Sequence, residues 1–130
     1  MTRQVISTPD APAAVGAYSQ AIVANGLVFC SGQIALDPAT GELVKGSVAE
    51  ETRRCMDNLA AVLAAAGSDL GRAVKMTAYL ADIADFAEFN SVYEGFVGDE
   101  PPARAAFAVK DLPRGARVEI ECIALVAGDS

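Results

Sequence analysis

The stretch QAIVANGLVFCSGQI, residues 20–34, decides how the chain is read. Two apolar runs flank Asn25-Gly26, the strongest short signal for a two-residue hairpin loop, because such turns need positive φ at their centre. The stretch therefore predicts two antiparallel strands. The second ends in CSGQ, Cys30 to Gln33, where small and polar residues replace apolar ones. Gly32 admits close approach of a ligand or another backbone, or marks a β-bulge. Plain alternation puts Ser31 and Gln33 on one face, as hydrogen-bond donors, and turns Cys30 to the other.

Working outward, DPATGE (Asp37 to Glu42) reads as a turn. Ser47 and Glu50 have capping-box spacing and open a helix over Val48 to Ala66, with Gly67 as its C-terminal glycine. Val48, Met56, Leu59, Ala60, Leu63 and Ala66 recur at helical spacing, opposite Glu50, Arg54 and Asp57. AVKMTAYLA (73–81) alternates as a strand, with Val74, Met76, Ala78 and Leu80 on one face. A second helix carries an apolar stripe of Phe86, Phe89, Tyr93, Phe96 and Val97, with Asn90 at its edge. Asp85 and Glu88 again have capping-box spacing. Two strands close the chain, Ala103 to Val109 and Arg117 to Ala127, joined by KDLPRGA. The order β-β-α-β-α-β-β predicts one α+β domain over residues 1–130, a mixed sheet with two helices packed on one face.

Composition narrows the chemistry. Hydrophobic residues make up 52% of the chain, enough for a small domain to bury apolar surface against copies of itself. No apolar run reaches the length of a membrane span, and the start lacks a signal-peptide core, so a cytoplasmic location is expected. The formal net charge of -7 disfavours sequence-independent nucleic-acid binding. The chain has no histidine, which removes Ser-His-Asp and Cys-His catalysis and His-based metal sites. Cys30, Cys55 and Cys122 form no CxxC pair and read as buried reduced thiols.

Two charged features stand out. PPARAAFAV (101–109) carries one guanidinium in an otherwise apolar strand. Alternation gives Arg104 the face of Ala106 and Ala108, with methyl groups for neighbours and room for a carboxylate in the fork. The alternative is an ion pair with an internal Glu, or a side chain snorkelling to water. RVEIECIALV (117–126) puts Arg117, Glu119, Glu121, Ile123 and Leu125 on one face. Glu121, at the charged-to-apolar boundary, has a route to a raised pKa and a role as base or water-positioner. The alternative is that both glutamates face solvent or pair with Arg. Tyr18, in VGAYSQA, is core or pocket wall.

Together these stretches resemble the RidA (YjgF/YER057c/UK114) family of enamine and imine deaminases. The likeness runs through APAAVGAYSQA, SGQIALDPATGE, DNLAAVLAAAG, DFAEFNSVYEGF, PPARAAFAV and VEIECIA. It implies a chorismate-mutase-like fold and a homotrimer with clefts between subunits. It implies hydrolysis of 2-iminobutanoate and 2-iminopropanoate to 2-oxo acids and ammonia, with no cofactor. By position, Arg104 matches the arginine that grips the substrate carboxylate and Glu121 the glutamate that activates water. Tyr18, Ser31, Gly32 and Asn90 match pocket positions. Ala106 stands where many relatives have cysteine. The resemblance further implies that Arg104 and Glu121 come from one subunit and Tyr18, Ser31 and Asn90 largely from its neighbour. A non-catalytic small-acid binder, or a protein-interaction or chaperone-like module, is the alternative.

Overall fold

In the computed structural model, which describes residues 2–126, the hairpin forms as read. Asn25 and Gly26 take φ of 54° and 75° between β2 (Ala21–Ala24) and β3 (Leu27–Gln33). Upstream lies a strand the sequence reading misses, β1 (Gln4–Ile6), antiparallel to β2. Three residues at a sheet edge are too few to show a period of two. The remaining strands are β4 (Ala73–Leu80), β5 (Ala103–Ala108) and β6 (Val118–Leu125). The six lie in the order β1-β2-β3-β6-β4-β5. β4 and β5 are parallel and the other pairs antiparallel. Ala127, the expected end of the last strand, lies outside the described residues.

Helix α1 (Val48–Ala65) begins on the expected capping box, both halves of which are made. It ends at Gly67, whose φ of +78° is the left-handed stop. Helix α2 (Phe86–Val97) begins differently: Asp85 makes no side-chain cap. Asp82 instead caps a preceding turn through Ala84 N–H at 2.9 Å. Glu88 reaches across to the Ala49 N–H of α1 at 2.9 Å, satisfying an orphan donor of the neighbouring helix.

Both helices cover one face of the sheet, as expected. Val28, Cys30, Met76, Ala78, Leu80, Val118, Ile120 and Cys122 point into this layer and are buried with Met56, Leu59, Val62, Leu63 and Phe89. Among these, each Val, Leu, Ile, Met or Phe side chain contributes about 1.5–3 kcal/mol when fully removed from water. The three cysteines are free and buried, and Cys30 faces Cys122 across the β3–β6 ladder. Neither α1 nor α2 lies on the opposite face. There Phe29 (43%), Phe107 (45%) and Leu125 (45%) stay exposed.

Candidate active site

The C-terminal strands set the charges. In the β4–β5 ladder Arg104 is level with Met76, and in β4–β6 Met76 is level with Cys122. These three therefore share the helix-covered face. Glu121 is level with Thr77, and Thr77 with Ala105, so Glu121 lies on the opposite, helix-free face. Within one chain Arg104 and Glu121 are thus on opposite sides of the sheet.

Arg104 does not stand among methyl groups alone. Helix α2 presents Phe86, Asn90 and Tyr93 to it from one helical face. The guanidinium carbon lies 5.4 Å from the Phe86 ring centre and 5.0 Å from that of Tyr93. Nη1 donates to Asn90 Oδ1 at 2.6 Å. Among the described residues Arg104 has no ion-pair partner, whereas Arg54, Arg72 and Arg117 each pair with a carboxylate. A shallow pocket of about 390 Å³ opens beside it, lined by Asn90, Tyr93, Glu94 and Pro101 among others. Ala106 is half-buried on the same face, level with Ala78.

The larger cavity, about 630 Å³, lies elsewhere. Tyr18, Ser31, Gly32, Arg114 and Glu119 line it, with Val15, Ile34 and Leu36 as apolar wall. A β-bulge builds it. Cys30 pairs with Cys122 but Gln33 with Ile120, so β3 spends three steps where β6 spends two. Gln33 consequently turns into the buried layer instead of sharing a face with Ser31. Ser31 donates its hydroxyl to Ser19 O at 2.6 Å, which ties the Tyr18 segment to the bulge. Gly32 is needed for space: a Cβ there would sit 2.1 Å from Glu119 Oε2.

Two buried amides that the sequence reading leaves without a role hold the cavity wall. Gln20 Nε2 donates to Thr8 O at 3.0 Å and Pro12 O at 2.8 Å. Asn58, on α1, donates to Ile34 O at 3.3 Å and Leu36 O at 2.9 Å. Polar residues inside apolar stretches were their only sequence signal.

The two glutamates of VEIE differ in their surroundings. Glu121 accepts a hydrogen bond from the Tyr79 hydroxyl, and this pairing pushes the Tyr79 pKa up to about 12. Glu119 is half-buried in the cavity; burial raises its pKa, and the charge of Glu121 adds to the rise. Glu119, not Glu121, therefore lies with Tyr18, Ser31 and Gly32 and has the environment of a general base. Arg117 leaves this face altogether, bonding Glu51 of α1 through Nε at 2.5 Å and through its backbone N–H at 3.0 Å.

The chain therefore carries two separate clusters: Arg104 with Asn90, and Glu119 with Tyr18, Ser31 and Gly32. Within one chain Asn90 groups with Arg104, whereas the resemblance implies that it comes with Tyr18 and Ser31 from the neighbouring subunit. Strands β6 and β4 intervene between β3 and β5. Three strand spacings put Ser31 and Gly32 about 14 Å from β5. Glu119, on β6, is two spacings or about 10 Å from β5 and on the opposite face of the sheet from Arg104. No three-carboxylate or thiol cluster suited to a metal occurs among the described residues, and no helix among them is long and apolar enough to cross a membrane.

The α+β fold, a six-stranded mixed sheet with two helices on one face, is shared with many solved structures. The family model described as Endoribonuclease L-PSP matches residues 8–126. The chain belongs to this family, the YjgF/RidA family of the sequence resemblance. It is 52% identical over 118 residues to the RutC family protein y4sK of Sinorhizobium fredii, covering 91% of this chain and 94% of that protein. It is 50% identical over 123 residues to the 2-iminobutanoate/2-iminopropanoate deaminase of Rattus norvegicus, covering 95% and 90%. Among solved structures, a putative endoribonuclease L-PSP from Entamoeba histolytica superposes with a TM-score of 0.93 at 50% identity, over 96% of this chain and all (100%) of that one. E. coli TdcF with bound serine superposes with a TM-score of 0.90 at 37% identity, over 95% and 99%.

Proposed function

We propose that the protein hydrolyses reactive 2-imino acids, 2-iminobutanoate and 2-iminopropanoate among them, to 2-oxo acids and ammonia. The observation that carries this reading is Arg104: a guanidinium held in place yet lacking a carboxylate partner among the described residues. Such a fork suits the carboxylate of a small acid. The deaminase names of relatives near half identity support it, as does the amino acid bound by a structural neighbour.

One chain holds the clamp and the base too far apart for a small substrate. The working site is therefore shared, with Arg104 and Asn90 from one copy and Tyr18, Ser31, Gly32 and Glu119 from another. A ring of three copies, which the resemblance implies, closes such heterologous contacts. The exposed apolar residues on the helix-free face support burial against further copies.

In this arrangement Arg104 fixes the substrate carboxylate and sets C2 near a water at Glu119. The water oxygen attacks C2 of the iminium, and Glu119 takes the released proton. Glu119 then returns that proton to nitrogen. The C–N bond breaks, ammonia leaves, and the carbinol proton is lost as the 2-oxo group forms. Imines already hydrolyse in water, so positioning and one base suffice. A small-acid binder would need Arg104 but no base. Ribonuclease activity is the weaker reading, because a polyanion is repelled by this charge and no histidine is present.

Mixing tests the shared site. Arg104→Ala and Glu119→Gln chains, each inactive alone, are unfolded together and refolded. About one quarter of clefts then receive two intact halves, since each half is intact in about half of the chains. Recovery of activity toward an enzymatically generated imine is expected. A monomer by light scattering, or no recovery in verified mixed assemblies, refutes the model.

A further inference from the structure

We propose that Phe86 and Tyr93 are positioning residues for the carboxylate clamp, fixing the plane of the Arg104 guanidinium before any anion binds. The inference rests on the reading of Arg104 as that clamp. Phe86, Asn90 and Tyr93 stand at positions i, i+4 and i+7 of α2, one above another on a single face. All three meet the same guanidinium. The sequence presents the two aromatics as members of an apolar stripe, yet each has a second task.

The platform is rigid. Phe89, fully buried between them, packs at a tilt against both rings, with centroids 6.0 Å from Phe86 and 5.4 Å from Tyr93. Rings held this way offer a fixed negative face to a planar cation. A long side chain at an exposed edge strand would otherwise sample many rotamers. Asn90 engages Nη1, which leaves the Nε–H and Nη2–H edge free for two parallel bonds to a carboxylate. The rings fix the plane, and Asn90 fixes the rotation within it. Tyr93 contributes its ring and not its hydroxyl: the oxygen is buried and has no hydrogen-bond partner.

The test compares Tyr93→Phe, Tyr93→Leu and Phe86→Leu in the full chain. With 2-iminobutanoate as substrate and 2-oxobutanoate as a stable binding probe, Tyr93→Leu should raise KM and weaken probe binding by about tenfold. Phe86→Leu should do so to a smaller extent. Tyr93→Phe, which keeps the ring, should match the wild type within about twofold. A purely structural role would lower the melting temperature while leaving KM and probe affinity of the folded protein unmoved, and that result overturns the proposal. Failure of Tyr93→Phe to restore function overturns it too. Should Tyr93→Leu not fold, Phe86→Leu, at a half-buried position, carries the same comparison.

A second readout does not depend on the activity. The Arg104 Nε–H resonance, assigned by its loss in Arg104→Lys, should carry a ring-current shift in the ligand-free protein. It should move in both leucine variants and hold in Tyr93→Phe. An unshifted resonance overturns the clamp. A shifted one in a wild type that neither binds 2-oxobutanoate nor hydrolyses the imine leaves the positioning intact and refutes the proposed function instead.

Discussion

At the β5 edge a cation is surrounded by groups that favour its charge; at the β3 bulge a carboxylate is half-buried, and a second carboxylate nearby adds to the cost of its charge. Arg104 has two π faces and an amide oxygen. Glu119 has burial and the neighbouring charge of Glu121 against it. A clamp works best when its charge is permanent and its direction fixed. A base works best when its proton affinity is lifted toward working pH. Under the proposed function, the contrast gives binding to one region and proton transfer to the other, each supplying what the other lacks.

The sharpest way to break this comparison is Glu119→Gln. The amide keeps the shape but cannot take a proton, so kcat should fall by about 10²–10⁴-fold with probe binding nearly kept. The wild-type rate should rise with pH through a value above the ordinary carboxylate pKa of 4.5. Stability follows the same shift with a definite sign. Between the ordinary pKa and the raised one, the folded chain holds a proton that the unfolded chain has lost. Stability therefore falls as pH rises through that window and stays lower above it. Glu119→Gln should thus be inactive yet melt higher than the wild type at neutral pH. A variant that is both inactive and less stable would make Glu119 a structural residue.

Gly32→Ala comes next. The new methyl displaces the end of a flexible side chain and not backbone, so folding should survive with a small change in melting temperature. The carboxylate, moved from its place, should cost about 10²-fold in kcat/KM. Full activity would show that Glu119 acts from another position.

The smallest effect is expected at Glu121. Glu121→Gln should lower kcat by no more than about threefold, since the base remains. Its signature lies at Tyr79. Loss of the carboxylate partner should bring the phenol pKa down from about 12 toward its ordinary 10.0, read by ultraviolet titration. The acid limb of the rate profile should move to lower pH, because one charge opposing Glu119 is gone. A kcat loss as large as that of Glu119→Gln would restore Glu121 to the role the sequence reading gave it.

Particular residues show how far the sequence could be read. Asn25-Gly26, Ser47 with Glu50, and Gly67 each act within a few residues of themselves, so their turn and caps were legible and formed as expected. Asp85 with Glu88 had the same spacing as a capping box, but Glu88 is taken by α1. Competition from a distant partner leaves no trace in local spacing. The choice between Glu119 and Glu121 lies beyond local pattern for a related reason. Alternation puts both on one face and cannot say which one meets the bulge of a strand over eighty residues earlier.

By itself the sequence determined the α+β class, the order of the main elements, the apolar faces, and Arg104 as the unusual charge. Those follow from side-chain periodicity and turn chemistry, which are properties of neighbouring residues. Only the tertiary structure decided that β3 bulges at Ser31–Gly32, that Glu119 fills the space this opens, and that Arg104 turns toward α2 and away from both glutamates. Register and strand order set those contacts, and both depend on how distant segments pack, which no local pattern encodes.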